Sequence, residues 1–178
     1  MHTLSYPGLA SWLACGLLAL AAPLAAHADS NNLQPRNELK VYTEECGSCH
    51  LAYPPGLLPA ASWKRMMGTL DNHYGDDASL DAATVQQIST WLQTNAGTYK
   101  KVRRDPTPPP DDRITRSAWF EREHRDVDTP KVWKHASVKS AANCIACHSA
   151  ADKGNFDERS LRFPKGLDER YRTAFQGD

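Results

Sequence analysis

Hydrophobic residues recur at helical spacing through the first half of the chain, and strand-like alternation is almost absent. Val85, Ile88 and Leu92 show the period of three to four residues that places side chains on one face of a helix. Asp81 precedes this run and is a favoured N-cap residue, while Gly75 is suited to end the helix before it. The predicted helices cover residues 38–50, 62–74 and about 82–96.

The second half of the chain is less regular. A short helix is predicted over residues 117–127 and another over residues 141–150, and the charged tail from Asp152 is expected to be largely irregular. Between the halves, the segment 103–112 has four prolines within five positions, a pattern that excludes helix and favours an extended polyproline connector. We therefore predict a mainly α fold with two small domains. They cover residues 29–102 and 113–178.

A leader without charged residues precedes these domains. Residues 1–28 contain no Asp, Glu, Lys or Arg, and the apolar run from Leu9 to Leu24 is followed by Ala26-His27-Ala28. A short apolar run followed by two small residues one position apart is typical of a secretory signal peptide. We predict cleavage after Ala28, export to a bacterial periplasm and no stable membrane insertion afterwards. The alternative is an uncleaved membrane anchor, although the run is shorter than the roughly 20 residues that a span needs.

Charge and hydrophobic content narrow the function classes. The 178 residues include 21 Lys or Arg and 21 Asp or Glu, so the formal net charge is zero. Nucleic-acid binding depends on clustered cations, and we expect no nucleic-acid partner. Hydrophobic residues make up 40% of the chain, and less once the leader is removed, whereas about 45–50% is usual in globular domains on a slightly wider count. A bound group is therefore expected to supply part of the core.

Four of the five cysteines form two copies of one motif. Each copy follows the pattern C-x-x-C-H, which is the attachment signature of c-type haem. The two thiols add to the two vinyl groups of one haem, and the adjacent imidazole binds the iron as the proximal ligand. We therefore predict two covalently bound haem c groups. The motifs are Cys46-Gly47-Ser48-Cys49-His50 and Cys144-Ile145-Ala146-Cys147-His148.

A C-x-x-C pair on its own has other uses. It can be a redox dithiol, two pairs can hold one zinc ion, and cysteines of an exported protein can form disulfides. None of these uses requires a histidine directly after each second cysteine. Both motifs have that histidine, namely His50 and His148, so haem attachment is the favoured interpretation.

The sixth ligand of each iron determines what the haem can do. In the first half, His73 is the one histidine after the leader besides His50, and on the helix predicted over residues 62–74 it shares a face with Trp63. A buried imidazole needs a partner, so we expect His73 to bind the first iron. Two methionines are the alternative, because a thioether can bind iron but can equally fill a core. They are Met66 and Met67.

The second half has no methionine, so histidine is the expected donor for the second iron. Phe120 and His124 are four residues apart and share a helix face, as the wall of a haem pocket would require, and we prefer His124. The alternatives are His135, which follows Trp133 closely, and an open five-coordinate iron. Irons with two histidine ligands have low to moderate potentials and no vacant position for O₂ or peroxide.

Several segments around the two motifs carry a family resemblance. They are residues 53–59, Ser62-Trp63, residues 72–78, Arg113-Ile114-Thr115, Trp119-Phe120-x-Arg122-Glu123-His124 and Val138-Lys139-Ser140. These residues resemble the bacterial dihaem cytochrome c family over nearly all of the chain after the leader. The resemblance implies two bis-histidine haems, with His73 and His124 as distal ligands. It also implies a first domain like class I cytochrome c and an irregular second domain with few helices.

The same resemblance implies redox partners. Related proteins donate electrons to a small oxygen-binding, high-spin cytochrome c and receive them from a membrane cytochrome b. We therefore expect a periplasmic electron-transfer protein rather than an enzyme, in which the cofactors carry the redox chemistry. The alternative is a small dihaem peroxidase or reductase, which would need one open iron site and an acid–base group beside it.

Overall fold

The computed structural model describes residues 33–127 and 129–176, and the regular structure within these ranges is helical. The α-helices are α1 (Lys40–Gly47), α2 (Ala60–Met67), α3 (Ala82–Asn95), α4 (Lys100–Arg104), α5 (Ala118–Glu123) and α6 (Pro130–Trp133). Short 3-10 turns lie at Pro55–Leu57, Leu70–Asn72, Pro110–Asp112, Ile114–Arg116, Cys144–Ala146, Ala151–Lys153, Glu158–Ser160 and Glu169–Phe175. The prediction of a mainly α fold is confirmed.

The predicted leader and its cleavage position at Ala28 lie outside the described residues. Among the residues that the structure describes, no helix combines the length and the apolar character needed to cross a membrane.

The third predicted helix is the most accurately placed. Helix α3 begins after Asp81, whose carboxylate accepts hydrogen bonds from the backbone N–H groups of Ala83 (3.0 Å) and Thr84 (3.1 Å). These bonds satisfy two of the donors that the first turn of a helix leaves unpaired. The apolar face buries Ile88 and Leu92 against α2 and the rest of the core. Both the predicted period and the predicted cap are confirmed.

The second predicted helix is shorter than its hydrophobic pattern suggests. Helix α2 ends at Met67, because the backbone N–H of Gly68 turns back to the carbonyl groups of Arg65 and Met66. The predicted continuation to Tyr74 is wrong, since the chain instead makes a 3-10 turn and then a tight turn. Gly75 does not end a helix there. It supplies the positive φ (107°) that the second central position of this tight turn requires.

The second half contains the larger correction. The helix predicted over residues 141–150 is wrong, because only Cys144–Ala146 forms a 3-10 turn. Asn143 has non-helical backbone angles (φ −84°, ψ 70°), and its side chain donates to the carbonyl of Val138 (2.8 Å). Helix α5 lies within the predicted segment 117–127 but ends at Glu123. The described part of the tail beyond Asp152 contains 3-10 turns but no α-helix.

The proline-rich connector is extended only in part. Its first two residues complete α4, a helix that the sequence pattern did not predict. Pro109 has extended angles (φ −70°, ψ 160°), and the end of the connector contacts the first half. The guanidinium of Arg65 donates two hydrogen bonds to the carboxylate of Asp112, at 2.8 and 2.6 Å. The connector therefore ends against α2.

One buried cluster includes side chains from both halves of the chain. Ile114 and Phe120, which follow the connector, belong to the same cluster as Tyr42, Trp63 and Leu92. An ion pair between Lys101 and Glu123 also joins α4 to α5. The two halves thus share core contacts, and the boundaries at residues 102 and 113 stay a prediction.

Replacing Ser117 by alanine is expected to lower the free energy of unfolding by about 1 kcal/mol, because a helix loses its N-cap. The buried Ser117 hydroxyl accepts from the backbone N–H of Phe120 (3.3 Å) at the start of α5 and donates to the carbonyl of Ile114 (2.7 Å). Thr90→Ala, which removes an exposed hydroxyl in α3, is the control and should stay within about 0.5 kcal/mol of the wild type. Denaturant titration of the holoprotein measures both, and equal midpoints would contradict this role of Ser117.

Candidate haem sites

The first C-x-x-C-H motif lies where α1 ends. Cys46 and Gly47 are the final residues of the helix, and the chain then turns through Ser48. Cys46 is half-buried against the core, whereas Cys49 is exposed. The helix end thus fixes one thiol against the protein interior and leaves the second thiol and His50 on the following turn.

His50 faces His73 across a gap that suits a metal ion. The centres of the two imidazole rings are 6.2 Å apart, and the ring planes differ by 19°. With metal–nitrogen bonds of about 2.0 Å and a ring radius of about 1.1 Å, two imidazoles on opposite sides of one metal have ring centres about 6.3 Å apart. Nδ1 of His50 lies 2.7 Å from the backbone carbonyl of Leu51. If Nδ1 donates to that carbonyl, the lone pair is on Nε2, which is the arrangement typical of metal-binding histidines.

His73 reaches this position from a tight turn rather than from a helix. The backbone N–H of His73 donates to Asp76 (2.7 Å), and the N–H of Asp76 donates back to His73 (3.2 Å). Burial, with the nearby His50 and Arg113, lowers the pKa of His73, so the neutral imidazole that metal binding requires is favoured. The prediction that His73 shares a helix face with Trp63 is wrong, because the helix ends before His73. His73 nevertheless lies close to His50.

The methionines that were the alternative to His73 belong to the hydrophobic packing. Met67 is buried in the core cluster beside Trp63, and Met66 packs against the same cluster from a partly buried position. Thioethers in such places fill irregular gaps between larger side chains. This packing supports the core-filling interpretation that the sequence left open.

The second motif is held by the chain that follows it. Its 3-10 turn (Cys144–Ala146) leads to His148, which forms an isolated β-bridge with Leu161. The backbone N–H of Arg162 donates to the carbonyl of Cys147 (2.7 Å), and the Arg162 side chain donates to the carbonyl of Ile145 (2.9 Å). Two segments of irregular backbone therefore fix each other in place of a helix.

The His148 ring is largely buried, and one of its two nitrogens lacks a hydrogen-bond partner among the described residues. This nitrogen is Nδ1, which is buried. A buried nitrogen without a partner is costly, and a metal bound at Nε2 would not relieve that cost at Nδ1. Burial, together with the nearby His124, lowers the pKa of His148 to about 4, so the ring is neutral at physiological pH.

His124 lies opposite His148. It follows α5 as the C-cap residue, and its ring stacks on Phe120 with centres 3.9 Å apart, as the sequence predicted. Nδ1 of His124 lies 2.9 Å from the Phe120 carbonyl. The ring centres of His124 and His148 are 6.2 Å apart, the same separation as in the first pair, but the planes differ by 75°. His135 instead has Nδ1 2.7 Å from the hydroxyl of Ser137.

The environment of the thiols differs from that of a redox dithiol. Burial raises the pKa of Cys46 to about 11, with a smaller contribution from Glu45, and it raises the pKa of Cys144 and Cys147 to about 11 as well. Redox-active C-x-x-C pairs need the opposite shift, because the thiolate is the nucleophile. The four cysteines of the motifs are free thiols in this structure.

Three aromatic residues around the histidines were not singled out as site residues from the sequence. Tyr53 stacks on His50, with ring centres 5.1 Å apart and planes 24° apart. The ring centre of Trp133 lies 6.1 Å from that of His124, and the ring centre of Phe156 lies 5.3 Å from that of His148. Tyr53 is three residues after its histidine, a spacing that could have drawn attention to it. No periodicity connects Trp133 or Phe156 to the residues that they contact, because irregular chain lies between them.

The residues present at both places fit a covalent haem. Each place has two thiols, a histidine directly after them and a second imidazole at the separation that one metal ion requires. A porphyrin supplies four nitrogen ligands to its iron, so two opposed imidazoles complete a six-coordinate ion. Aromatic side chains beside the histidines supply the apolar surface that such a cofactor contacts.

Comparisons with known proteins agree with this chemistry. A sequence model of the family described as "Dihaem cytochrome c" matches residues 42–156, a span that contains both motifs. A comparison with curated protein sequences finds no significant match.

Solved structures with similar folds carry the same description. A crystal structure of DHC from Rhodobacter sphaeroides is 38% identical, with a TM-score of 0.57, and the match covers 67% of this chain and 98% of that one. A second structure of the diheme cytochrome c from that organism is 40% identical, with a TM-score of 0.55, and covers 65% and 94%. The diheme cytochrome type c from Shewanella baltica OS155 is 38% identical, with a TM-score of 0.60, and covers 71% and 93%.

Proposed function

The chain belongs to the dihaem cytochrome c family, and on that premise we propose that it is a periplasmic electron carrier that passes electrons between redox partners through two bis-histidine haems. Members of this family carry two covalently bound haem c groups, which supply reversible one-electron chemistry. The protein's contribution is to hold, orient and bury them. The observation that carries the proposal is that two pairs of imidazoles, one at each motif, both have ring centres 6.2 Å apart.

We assign the ligands by position. Cys46 and Cys49 attach the first haem, and Cys144 and Cys147 attach the second. His50 and His73 bind the first iron, and His148 and His124 bind the second. The backbone carbonyls beside Nδ1 of His50 and Nδ1 of His124 support this assignment, because contacts of that kind orient the ring and direct Nε2 to the metal.

The two halves are proposed to have different architectures. Residues 29–102 would form a domain like class I cytochrome c, as supported by the helices α1, α2 and α3 around a motif close to the start. Residues 113–178 would form the irregular second haem domain, as supported by its short helices and 3-10 turns. Residues 103–112 would connect them.

Localisation and partners are also part of the proposal. The charge-free leader supports export and cleavage after Ala28. The proposed acceptor is a small high-spin cytochrome c and the proposed donor is a membrane cytochrome b, in keeping with the resemblance described above. Membership in a family of electron carriers supports redox proteins as partners.

Electron paramagnetic resonance of the oxidised holoprotein is expected to give two different low-spin signals. Nearly parallel imidazoles donate π density to the same iron d orbital, whereas crossed imidazoles donate to two orbitals equally. The first pair, at 19°, should therefore give a rhombic signal, and the second pair, at 75°, a strongly anisotropic signal with a larger maximum g value.

Carbon monoxide provides the complementary measurement on the reduced holoprotein. Two bis-histidine irons have no open position, so the visible spectrum should not change on the time scale of mixing. A high-spin signal in the oxidised protein, with rapid stoichiometric binding of carbon monoxide, would contradict the proposal. Peroxide turnover by the same sample would then favour the small dihaem enzyme with one open iron.

A further inference from the structure

Tyr53 contacts both candidate haem sites at once. Its ring stacks on the imidazole of His50 in the first motif, with ring centres 5.1 Å apart and planes 24° apart. Its hydroxyl donates a hydrogen bond of 2.7 Å to the backbone carbonyl of Ala142. Ala142 is two residues before Cys144, the first cysteine of the second motif. One side chain therefore joins a proposed iron ligand of the first haem to the attachment segment of the second.

Both ends of this bridge are fixed by their surroundings. The buried hydroxyl of Tyr42, on α1, donates to the backbone carbonyl of Tyr53 (2.6 Å), and the buried residues Pro54 and Pro55 follow. Proline restricts the backbone of the residue before it as well as its own. Tyr53 thus has little freedom to leave His50, and the position of its hydroxyl is set from the first half of the chain.

At the other end, the carbonyl of Ala142 is one of the points where the two halves make contact. It accepts from the backbone N–H of Cys144 (3.0 Å) as well as from Tyr53, and the Cys144 sulfur lies 3.6 Å away. A thioether sulfur has no hydrogen to donate, so with haem attached two donors would remain on this carbonyl. One is local to the second motif and the other is Tyr53. A tyrosine phenol has an ordinary pKa of about 10, so at neutral pH it keeps the proton that it donates.

We propose that Tyr53 is the positioning residue that couples the two haem sites, holding His50 and the Cys144 segment in one fixed geometry and providing a contact path between them. The inference rests on the proposed function, because it concerns electron exchange between the two irons of one molecule. In that exchange one iron loses an electron and the other gains it. Tyr53 is neither oxidised nor deprotonated.

The path is short in chemical steps. It runs from the His50 ring to the stacked Tyr53 ring, through the phenol hydroxyl to the Ala142 carbonyl, and along the backbone to Cys144. Electronic coupling falls more slowly through covalent and hydrogen bonds than across gaps between unbonded atoms. Loss of the hydroxyl removes the one hydrogen bond in this path and leaves the stacked ring in place.

The test compares Tyr53→Phe with the wild-type holoprotein. Proton NMR exchange spectroscopy of the haem methyl groups in a half-reduced sample gives the rate of electron exchange between the two haems. We expect this rate to fall several-fold in Tyr53→Phe. We also expect faster hydrogen–deuterium exchange in the peptide that contains Ala142 and Cys144, because its hydrogen bond to Tyr53 is lost.

Tyr171→Phe is the matched control. It also removes a phenol hydroxyl, but that hydroxyl lies 3.4 Å from the Thr129 hydroxyl, and both residues belong to the second half. The electron-exchange rate of Tyr171→Phe should equal that of the wild type. An unchanged rate in Tyr53→Phe would overturn the inference, whatever the hydrogen exchange shows. An absence of exchange within the wild-type molecule would contradict the proposed function itself, so the two failures are distinguishable.

Discussion

Replacing Cys144 and Cys147 together by serine is expected to leave a protein with one haem and to unfold most of residues 134–176. The reason is the way this segment is built. It has no α-helix, and its backbone is held by short 3-10 turns and isolated bridges. Its buried apolar side chains lie outside the main core cluster and are few: Val138, Ala146, Ala151, Pro164 and Leu167. A covalent porphyrin would supply apolar surface that these residues lack, and small folds without such a group are marginal.

The matched variant replaces Cys46 and Cys49 by serine. It should also bind a single haem, but the first half has a larger protein core, which includes Trp63, Ile88 and Leu92. We therefore expect the helices around that core to keep more of their protection than residues 134–176 keep in the first variant. Haem content by pyridine haemochrome and limited proteolysis with mass spectrometry measure both effects. Equal protease resistance of the two variants would show that haem supports both halves alike.

The sequence predicted best what local rules determine. Helix α3 has an apolar stripe, a capping aspartate and no internal glycine or proline, and all three agree with the observed bounds. The two C-x-x-C-H motifs are equally local, because attachment chemistry requires thiols and imidazole at one fixed spacing. The contact between Phe120 and His124 follows from a helical spacing of four residues.

Predictions failed where contacts distant in sequence determine the backbone. Leu70 lies at helical spacing from Met66, yet the helix has ended, and the tight turn at Tyr74 and Gly75 presents His73 instead. The hydroxyl of Tyr74 donates to the carbonyl of Asp111 (3.0 Å), and the Arg113 guanidinium lies 4.0 Å from the centre of its ring. Asp111 lies in the connector and Arg113 directly follows it, so no pattern within residues 62–74 could have indicated either partner.

The same limit explains the second motif. A helix over residues 141–150 is a reasonable expectation from composition, but Asn143 uses its side chain to hold the Val138 carbonyl. Arg162 then binds the backbone of the motif from a distant part of the chain. A short polar side chain that competes for backbone groups opposes helix. The pairing of the histidines in space was nevertheless predictable, because few histidines are present and each close pair has one member in a motif.

Replacing His124 by glycine is expected to leave one coordination position of the second iron vacant. The reduced variant should bind one carbon monoxide per molecule, whereas the wild type should bind none, and the oxidised variant should show a high-spin or water-bound spectrum in half of its haem. The first pair, His50 and His73, would be unaffected. Glycine is suited to this position because His124 follows the last residue of α5, so the helix itself should persist.

His135→Ala is the control, because it removes the alternative histidine of the same half, which contacts the Ser137 hydroxyl. It should bind no carbon monoxide and should keep both low-spin signals. Added imidazole should restore the low-spin spectrum of His124→Gly, since a free imidazole can occupy the position of the lost ring. Carbon monoxide binding by His135→Ala, with none by His124→Gly, would transfer the ligand role to His135. Because the ring separation of 6.2 Å is found between His148 and His124, we expect the opposite result.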